Sequence, residues 1–211
     1  MRILLLPLII TIWAWIIKHN ANKERSKDKP SIRSYLDRES AANSVRRQDI
    51  SNLPYIHAPI DSFPFDITLN DKKKQFQIEN YKKEIIHVAQ NPMLNLIGVS
   101  NTELKEQYGP ANLEILSYYD QNYTRYMRSL YLYAQGIYEE YPSEAVSILT
   151  YCIETGTDIS GIYELLGTYY IQHGRTTELE QLYTHIPDTT SISGKMIISK
   201  LDRLKNNESI F

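Results

Sequence analysis

SGIYELLGTYYIQHGRTTELEQLYTHIPDTTSIS, residues 160–193, is the stretch on which the fold reading turns. Tyr163, Leu166 and Tyr170 recur at three-four spacing, the mark of one apolar helix face. Gly174 interrupts the pattern, Leu179, Tyr183 and Ile186 resume it, and Pro187 closes it. Two helices of about a dozen residues joined by a short turn form an antiparallel pair, and such pairs are the units of helical solenoids. Gly156 marks a further short turn upstream.

Working outward, the same punctuation continues. Residues from Asp71 to about Gln90 carry Phe76, Tyr81, Ile85, Val88 and Ala89 on a helix face, with Lys72, Lys73 and Lys74 at its exposed start and Asn91-Pro92 at its end. Ser100 with Glu103 fits a capping box, in which the Ser side chain and the Glu side chain each satisfy the other's free backbone N–H. That short helix stops at Gly109-Pro110, and Pro110 suits the first turn of a long helix running to about Glu140. Leu116, Tyr119, Tyr123, Tyr126, Leu130, Tyr133, Ala134 and Ile137 give it one apolar face, and Tyr131, Tyr138 and Tyr141 predict that it packs on more than one side. Of the 17 tyrosines in the 211-residue chain, 13 fall between Tyr118 and Tyr183, and they are read as core rather than as a binding platform.

The 34 residues from Ser160 to Ser193 match the period of the tetratricopeptide repeat. Tyr163 stands at the repeat's first aromatic place, Leu166-Gly167 at its Leu-Gly, Tyr170 at the next aromatic, Gly174 in the turn, and Tyr183 at the second-helix aromatic. Here the chain resembles the tetratricopeptide-repeat family. It departs at Leu179, where a small Ala is usual, at Ile186, and at the early Pro187. The preceding unit, about Tyr126 to Ile159, keeps Ala145 but lacks Leu-Gly, and Ser191 to Lys205 reads as a closing helix with Ile197, Leu201 and Leu204 on one face. The resemblance implies a concave face for a peptide or partner protein, lined by Glu164, Thr168, Ile171 and Gln172 of the first repeat helix. The overall layout is also similar to that of small bacterial membrane-anchored proteins without an assigned activity.

The N-terminus carries the membrane signal. Residues 3–17 read ILLLPLIITIWAWII, with only Thr11 polar, at the short end of what crosses a bilayer. Pro7 lies where a missing N–H costs little, and Trp13 and Trp15 lie where indoles favour the interface. No small-x-small site follows, and Lys18 and Lys23 stand where a signal peptide would be cut, so an uncleaved anchor over 1–18 is preferred to a cleaved leader. Lys18, Lys23, Arg25, Lys27, Lys29 and Arg33 flank one side against Arg2 on the other, which keeps the body in the cytoplasm by the positive-inside rule.

Residues 19–50 form a basic juxtamembrane linker or helix, patterned weakly by Ile32, Tyr35, Leu36, Ala42 and Val45; two readings stand, a lean on anionic headgroups or topology signals alone. Residues 51–70 follow, with Pro54, Pro59 and Pro64 five apart, which forbids a continuous helix. Leu53, Tyr55, Ile56, Ile60, Phe63, Phe65 and Ile67 make this segment too apolar for a free linker, so it reads as an extended strap along a helical body. A segment awaiting a partner that recognises proline-rich strands is the rival reading. The remainder, 71–211, is one α-helical tetratricopeptide-like domain, and the whole is all-α.

Charge and motif usage narrow the function. Residues 18–50 hold nine Lys/Arg against five Asp/Glu, whereas 51–211 hold thirteen against twenty, so the body lacks the clustered cations that nucleic acid requires. Neither a phosphate loop nor a nucleophile elbow is present, and His19, His57, His87, His173 and His185 are scattered without ligand spacing. Cys152 lies on an apolar stripe and reads as a core thiol. Asp120, Asn122, Thr124, Arg125 and, one turn on, Arg128 make a polar cluster, fit either for a groove or for a solvated face. No metal, cofactor or catalytic residue is expected. The sequence thus predicts a membrane-anchored interaction module or scaffold, not an enzyme, that binds the bilayer through 3–17 and an unidentified protein or peptide through its body. The alternative is a membrane-anchored enzyme or regulator whose site is assembled from scattered residues.

The anchor reading predicts that the full chain stays with membranes through carbonate extraction and that deletion of residues 1–17 releases the body into the soluble fraction. Recovery of the intact chain in the carbonate supernatant refutes it.

Overall fold

The computed structural model describes residues 32–208. The segment expected as an anchor, 1–18, and the expected linker as far as residue 31 lie outside the described residues. Among the described residues no helix is long and apolar enough to cross a membrane.

The described chain is all-helical: α1 (Ile32–Asn43), α2 (Lys72–Val88), α3 (Asn101–Tyr108), α4 (Leu113–Ile137), α5 (Pro142–Glu154), α6 (Ser160–Gln172), α7 (Thr176–Thr184) and α8 (Ile192–Glu208). Local chemistry sets several boundaries. The Asp71 carboxylate accepts from the N–H groups of Lys73 and Lys74, opening α2. Ser100 and Glu103 form the reciprocal capping box of α3. Pro110 begins a single 3₁₀ turn, Pro110–Asn112, that feeds α4, and Pro142 stands at the start of α5.

α4 is the central element. It packs against α2 on one side and α5 on another, and the chain then continues as neighbouring pairs, α5 with α6, α6 with α7, and α6 with α8. Its buried face carries Leu116, Tyr123, Tyr126, Met127, Leu130, Tyr133, Ala134 and Ile137. The matching face of α2 is Ile78, Ile85 and Val88. Phe76, expected on that face, is 69% exposed, because it sits two residues from Ile78 and therefore points nearly to the opposite side of the helix.

Residues 51–70 lie extended over this body apart from a short 3₁₀ turn, Ile60–Ser62. Phe65 is 8% exposed and meets Tyr133 edge-on at 5.2 Å, while Phe63 meets Tyr151 at 5.2 Å. The segment's carbonyls find donors in the body: the Tyr133 hydroxyl donates to Pro64 O at 2.9 Å, Tyr141 to Thr68 O at 3.0 Å, and Lys82 Nζ to Phe65 O at 2.9 Å.

The close approach of α6, α7 and α8 centres on Gly167. A Cβ there would lie 3.0 Å from Leu204 Cδ1, 3.1 Å from Leu201 Cδ2 and 3.4 Å from Leu179 Cδ1. α1 docks separately, on α3. Arg38 donates from Nε and Nη2 to both Glu106 oxygens at 2.7 Å, and the Glu39 carboxylate takes Lys105 and the Thr102 hydroxyl. Hydrogen bonds from these partners hold the Glu39 and Glu106 carboxyls below their ordinary range.

Three outcomes follow from this packing. Gly167→Leu is expected to destabilise the body by about 1–3 kcal/mol in denaturant melts, since the added side chain meets three leucines at once; stabilisation would mean the helices are not in close contact there. Phe65→Ala is expected to cost about 3–5 kcal/mol, whereas Phe76→Ala stays within about 0.5 kcal/mol. The third concerns pH. Depressed carboxyls stabilise the docked α1 above the unfolded carboxylate range and lose that contribution as pH falls through their folded values. Hydrogen-exchange protection factors over residues 34–43 should therefore fall, relative to α4, as the pH drops below about 4; an unchanged ratio counts against the ion pairs.

Candidate functional site

A partly enclosed cleft lies where α5, α6 and α7 meet. Its volume is about 250 Å³. Ile153, Leu166 and Leu182, all buried, form its floor. Tyr170, also buried, lies beside them, and Thr150, Glu154, Glu178, Gln181 and His185 form its rim. Two turns bring these residues together: Gly156 and Gly174 both have positive φ, 85° and 64°, so α6 doubles back on α5 and α7 on α6 within a few residues.

The rim is electrostatically ordered. The Arg175 guanidinium lies 4.9 Å from the centre of the Tyr170 ring and donates from Nε to Glu178 Oε1 at 2.8 Å. That hydrogen bond holds the Glu178 carboxyl below its ordinary range, so it stays anionic at neutral pH. Glu154, the residue after the floor residue Ile153, is exposed. The mouth thus sets the Glu154 carboxylate and the Arg175–Glu178 ion pair around an apolar floor, and Glu154 is the group placed to meet a cation beside an apolar side chain.

A second, wider cleft of about 460 Å³ runs between Tyr55–Ala58, Ala89–Pro92 and Tyr119. The chain closes its back by the Ile56 N–H donating to Met93 O at 3.0 Å and by the edge-on Tyr55–Tyr119 pair at 5.7 Å.

The residues singled out from the sequence lie elsewhere and do not converge. Glu164 is ion-paired to Lys200 and Arg203 of α8, each at 2.6 Å, so its carboxylate ties two helices together. The Thr168 hydroxyl donates to Glu164 O of its own helix at 2.8 Å, Ile171 packs against the core, and Gln172 is exposed. Arg125 pairs with Glu84 of α2 at 2.5 Å, and Arg128 is exposed on the same helix. The polar cluster around them is structural: Asp120 accepts the Leu96 N–H at 3.1 Å, and the buried Asn122 donates to Pro92 O at 3.0 Å, pinning the loop between α2 and α3. Partial burial raises the Asp120 carboxyl's pKa.

The rim residues Glu154 and Glu178 were missed because they come from two helices, α5 and α7, that no short spacing links; His185, two turns after Glu178, is the residue that caps the end of α7. Turn glycines at 156 and 174 were the available signal, since they state which helices become neighbours. Among the described residues no group of His, Cys, Asp and Glu is arranged to hold a metal ion. Cys152 is fully buried, and burial pushes its thiol pKa up, which leaves it a packing residue.

Comparison with protein-family models, with curated proteins and with solved structures finds no match to the chain. The functional reading therefore rests on the chain's own geometry.

The Glu164 bridge supplies a check on that geometry. Glu164→Ala is expected to lower stability by about 0.5–1 kcal/mol at low salt, and the loss should shrink in 1 M salt as screening weakens the wild-type pairs. A salt-independent loss would mean that packing, not charge, is what the substitution removes.

Proposed function

We propose that the chain is a single-pass membrane protein, anchored by residues 3–17, whose cytoplasmic body is a tetratricopeptide-like scaffold that captures a protein segment. The cleft between α5, α6 and α7 carries this reading: it accepts one apolar side chain on Ile153, Leu166 and Leu182 and places Glu154 beside it, with the Arg175-paired Glu178 on the same rim. The preferred segment therefore has a Lys or Arg beside an apolar residue, as the acidic balance of residues 51–211 also favours. Support for the repeat reading comes from α6 packing on both α7 and α8 with Gly167 at the point of closest approach. Support for anchoring comes from the apolar run and the excess of cations that follows it.

A photo-crosslinking residue at Gln181, on the rim, tests the reading in intact cells. A discrete adduct is expected there and none from the same residue at Glu114 on α4. Glu154→Lys should reduce the adduct about tenfold, roughly the effect of replacing one close attraction by a repulsion. No discrete adduct at Gln181, or one insensitive to Glu154→Lys, refutes capture at this cleft.

A further inference from the structure

α1 is longer than the surface it docks on. Ile32, Tyr35, Leu36, Glu39 and Ala42 follow one another at three-four spacing and so share one face of the helix. The second half of that face is covered: Glu39 is held by Lys105 and Thr102 of α3, Arg38 beside it by Glu106, and Ala42 is fully buried. The first half overhangs. Ile32 is 77% exposed, Tyr35 58% and Leu36 57%, three large apolar side chains in the first two turns of a helix whose far end is fixed to the body.

We propose that this overhanging face lies in the headgroup region of an anionic membrane, as a second lipid contact beside the anchor. The inference rests on the anchoring reading above. If residues 3–17 are in the bilayer, the fourteen residues 18–31 allow Ile32 to be at most about 50 Å from it. Those fourteen residues carry Lys18, Lys23, Arg25, Lys27 and Lys29 against Glu24 and Asp28, a net cationic stretch that anionic headgroups draw to the surface. An apolar helix face with an adjoining cationic segment is the composition of an interfacial helix, and tyrosine is favoured at that depth. A second copy of the chain is a poorer occupant: three side chains fall well short of the roughly 800 Å² per partner that a stable interface buries, whereas lipid needs no shape complementarity.

The contact has a mechanical consequence. Because α1 is clamped to α3 by the two-pronged Arg38–Glu106 pair and by Glu39, lipid held at Ile32, Tyr35 and Leu36 fixes the attitude of the body toward the membrane.

The test uses the full chain in lipid nanodiscs, with a nitroxide spin label at Leu36→Cys. Cys152 is fully buried and stays unlabelled in the folded protein. Labels at Ile10→Cys and Glu114→Cys in separate samples report the anchor and an exposed body site. In discs containing phosphatidylserine, the label at 36 should be more accessible to oxygen than to a water-soluble nickel chelate, and the label at 114 the reverse. Adding Ile32→Asp should return the label at 36 to the aqueous pattern.

An aqueous pattern at 36 in every disc, with the label at 10 embedded, overturns the proposal and leaves the anchor standing. An aqueous pattern at 10 overturns both. Protection of the label at 36 in detergent without bilayer would assign the face to the chain's own N-terminal residues. Spin–spin broadening that grows with copies per disc would assign it to a second copy.

Discussion

Tyrosine hydroxyls donating to main-chain carbonyls outside helices are the interaction on which the architecture depends. Tyr133 reaches Pro64 O, Tyr141 reaches Thr68 O, and Tyr123 reaches Thr155 O. Tyr163 sits between two such acceptors, Thr157 O at 3.0 Å and His185 O at 2.9 Å. Each of these carbonyls lies beyond the end of a helix or in the extended segment, where no i+4 N–H is available to satisfy it. A tyrosine fills a core position with its ring and reaches past the core with its hydroxyl, so one residue type both packs the helices and closes the irregular chain over them. The gain per bond is modest, about 1 kcal/mol, but leaving such a carbonyl buried and unpaired costs about 1–3 kcal/mol. Burial also raises the phenol pKa of Tyr123, Tyr133 and Tyr163 further above neutral.

This explains how a proline-bearing segment becomes part of a helical domain. Pro54, Pro59 and Pro64 cannot donate, so residues 51–70 have few ways to pair with a neighbour through backbone alone. Side-chain donors from α2, α4 and the turn before α5 satisfy the segment's carbonyls, and Phe63 and Phe65 pack against aromatic rings of α5 and α4. The strap in turn walls the wider cleft beside Tyr119. Its contacts join the first helices to the later ones, so α2, α4 and α5 share one core with the pairs that follow.

Charge is arranged on a different plan. Surface ion pairs such as Glu164 with Lys200 and Arg203, or Arg38 with Glu106, staple neighbouring helices at their rims. Glu154 instead borders an apolar depression, across from the Arg175–Glu178 pair. Cationic residues gather before Ile32 and carboxylates over the body, so the two parts of the chain carry net charge of opposite sign.

The sequence by itself determined the helical class, most element boundaries, the Ser100–Glu103 capping box and the incompatibility of residues 51–70 with helix, because each depends on residues within a turn of one another. It also marked Gly167 as a place of close approach, though not that Leu201 and Leu204 of α8 share that place with Leu179 of α7. Which face of each helix is inward was legible where the pattern was regular, as in α4, and misread at Phe76, where one large apolar residue lies off the stripe. Tertiary structure alone decided the cleft, since Ile153, Leu166 and Leu182 meet only when three helices fold back at two turns. It alone decided that Glu164 and Arg125 are spent on ion pairs with other helices. Ion-pair partners that lie far apart along the chain have no fixed spacing, so periodicity carries no record of them; only the packed helices bring the charges within reach.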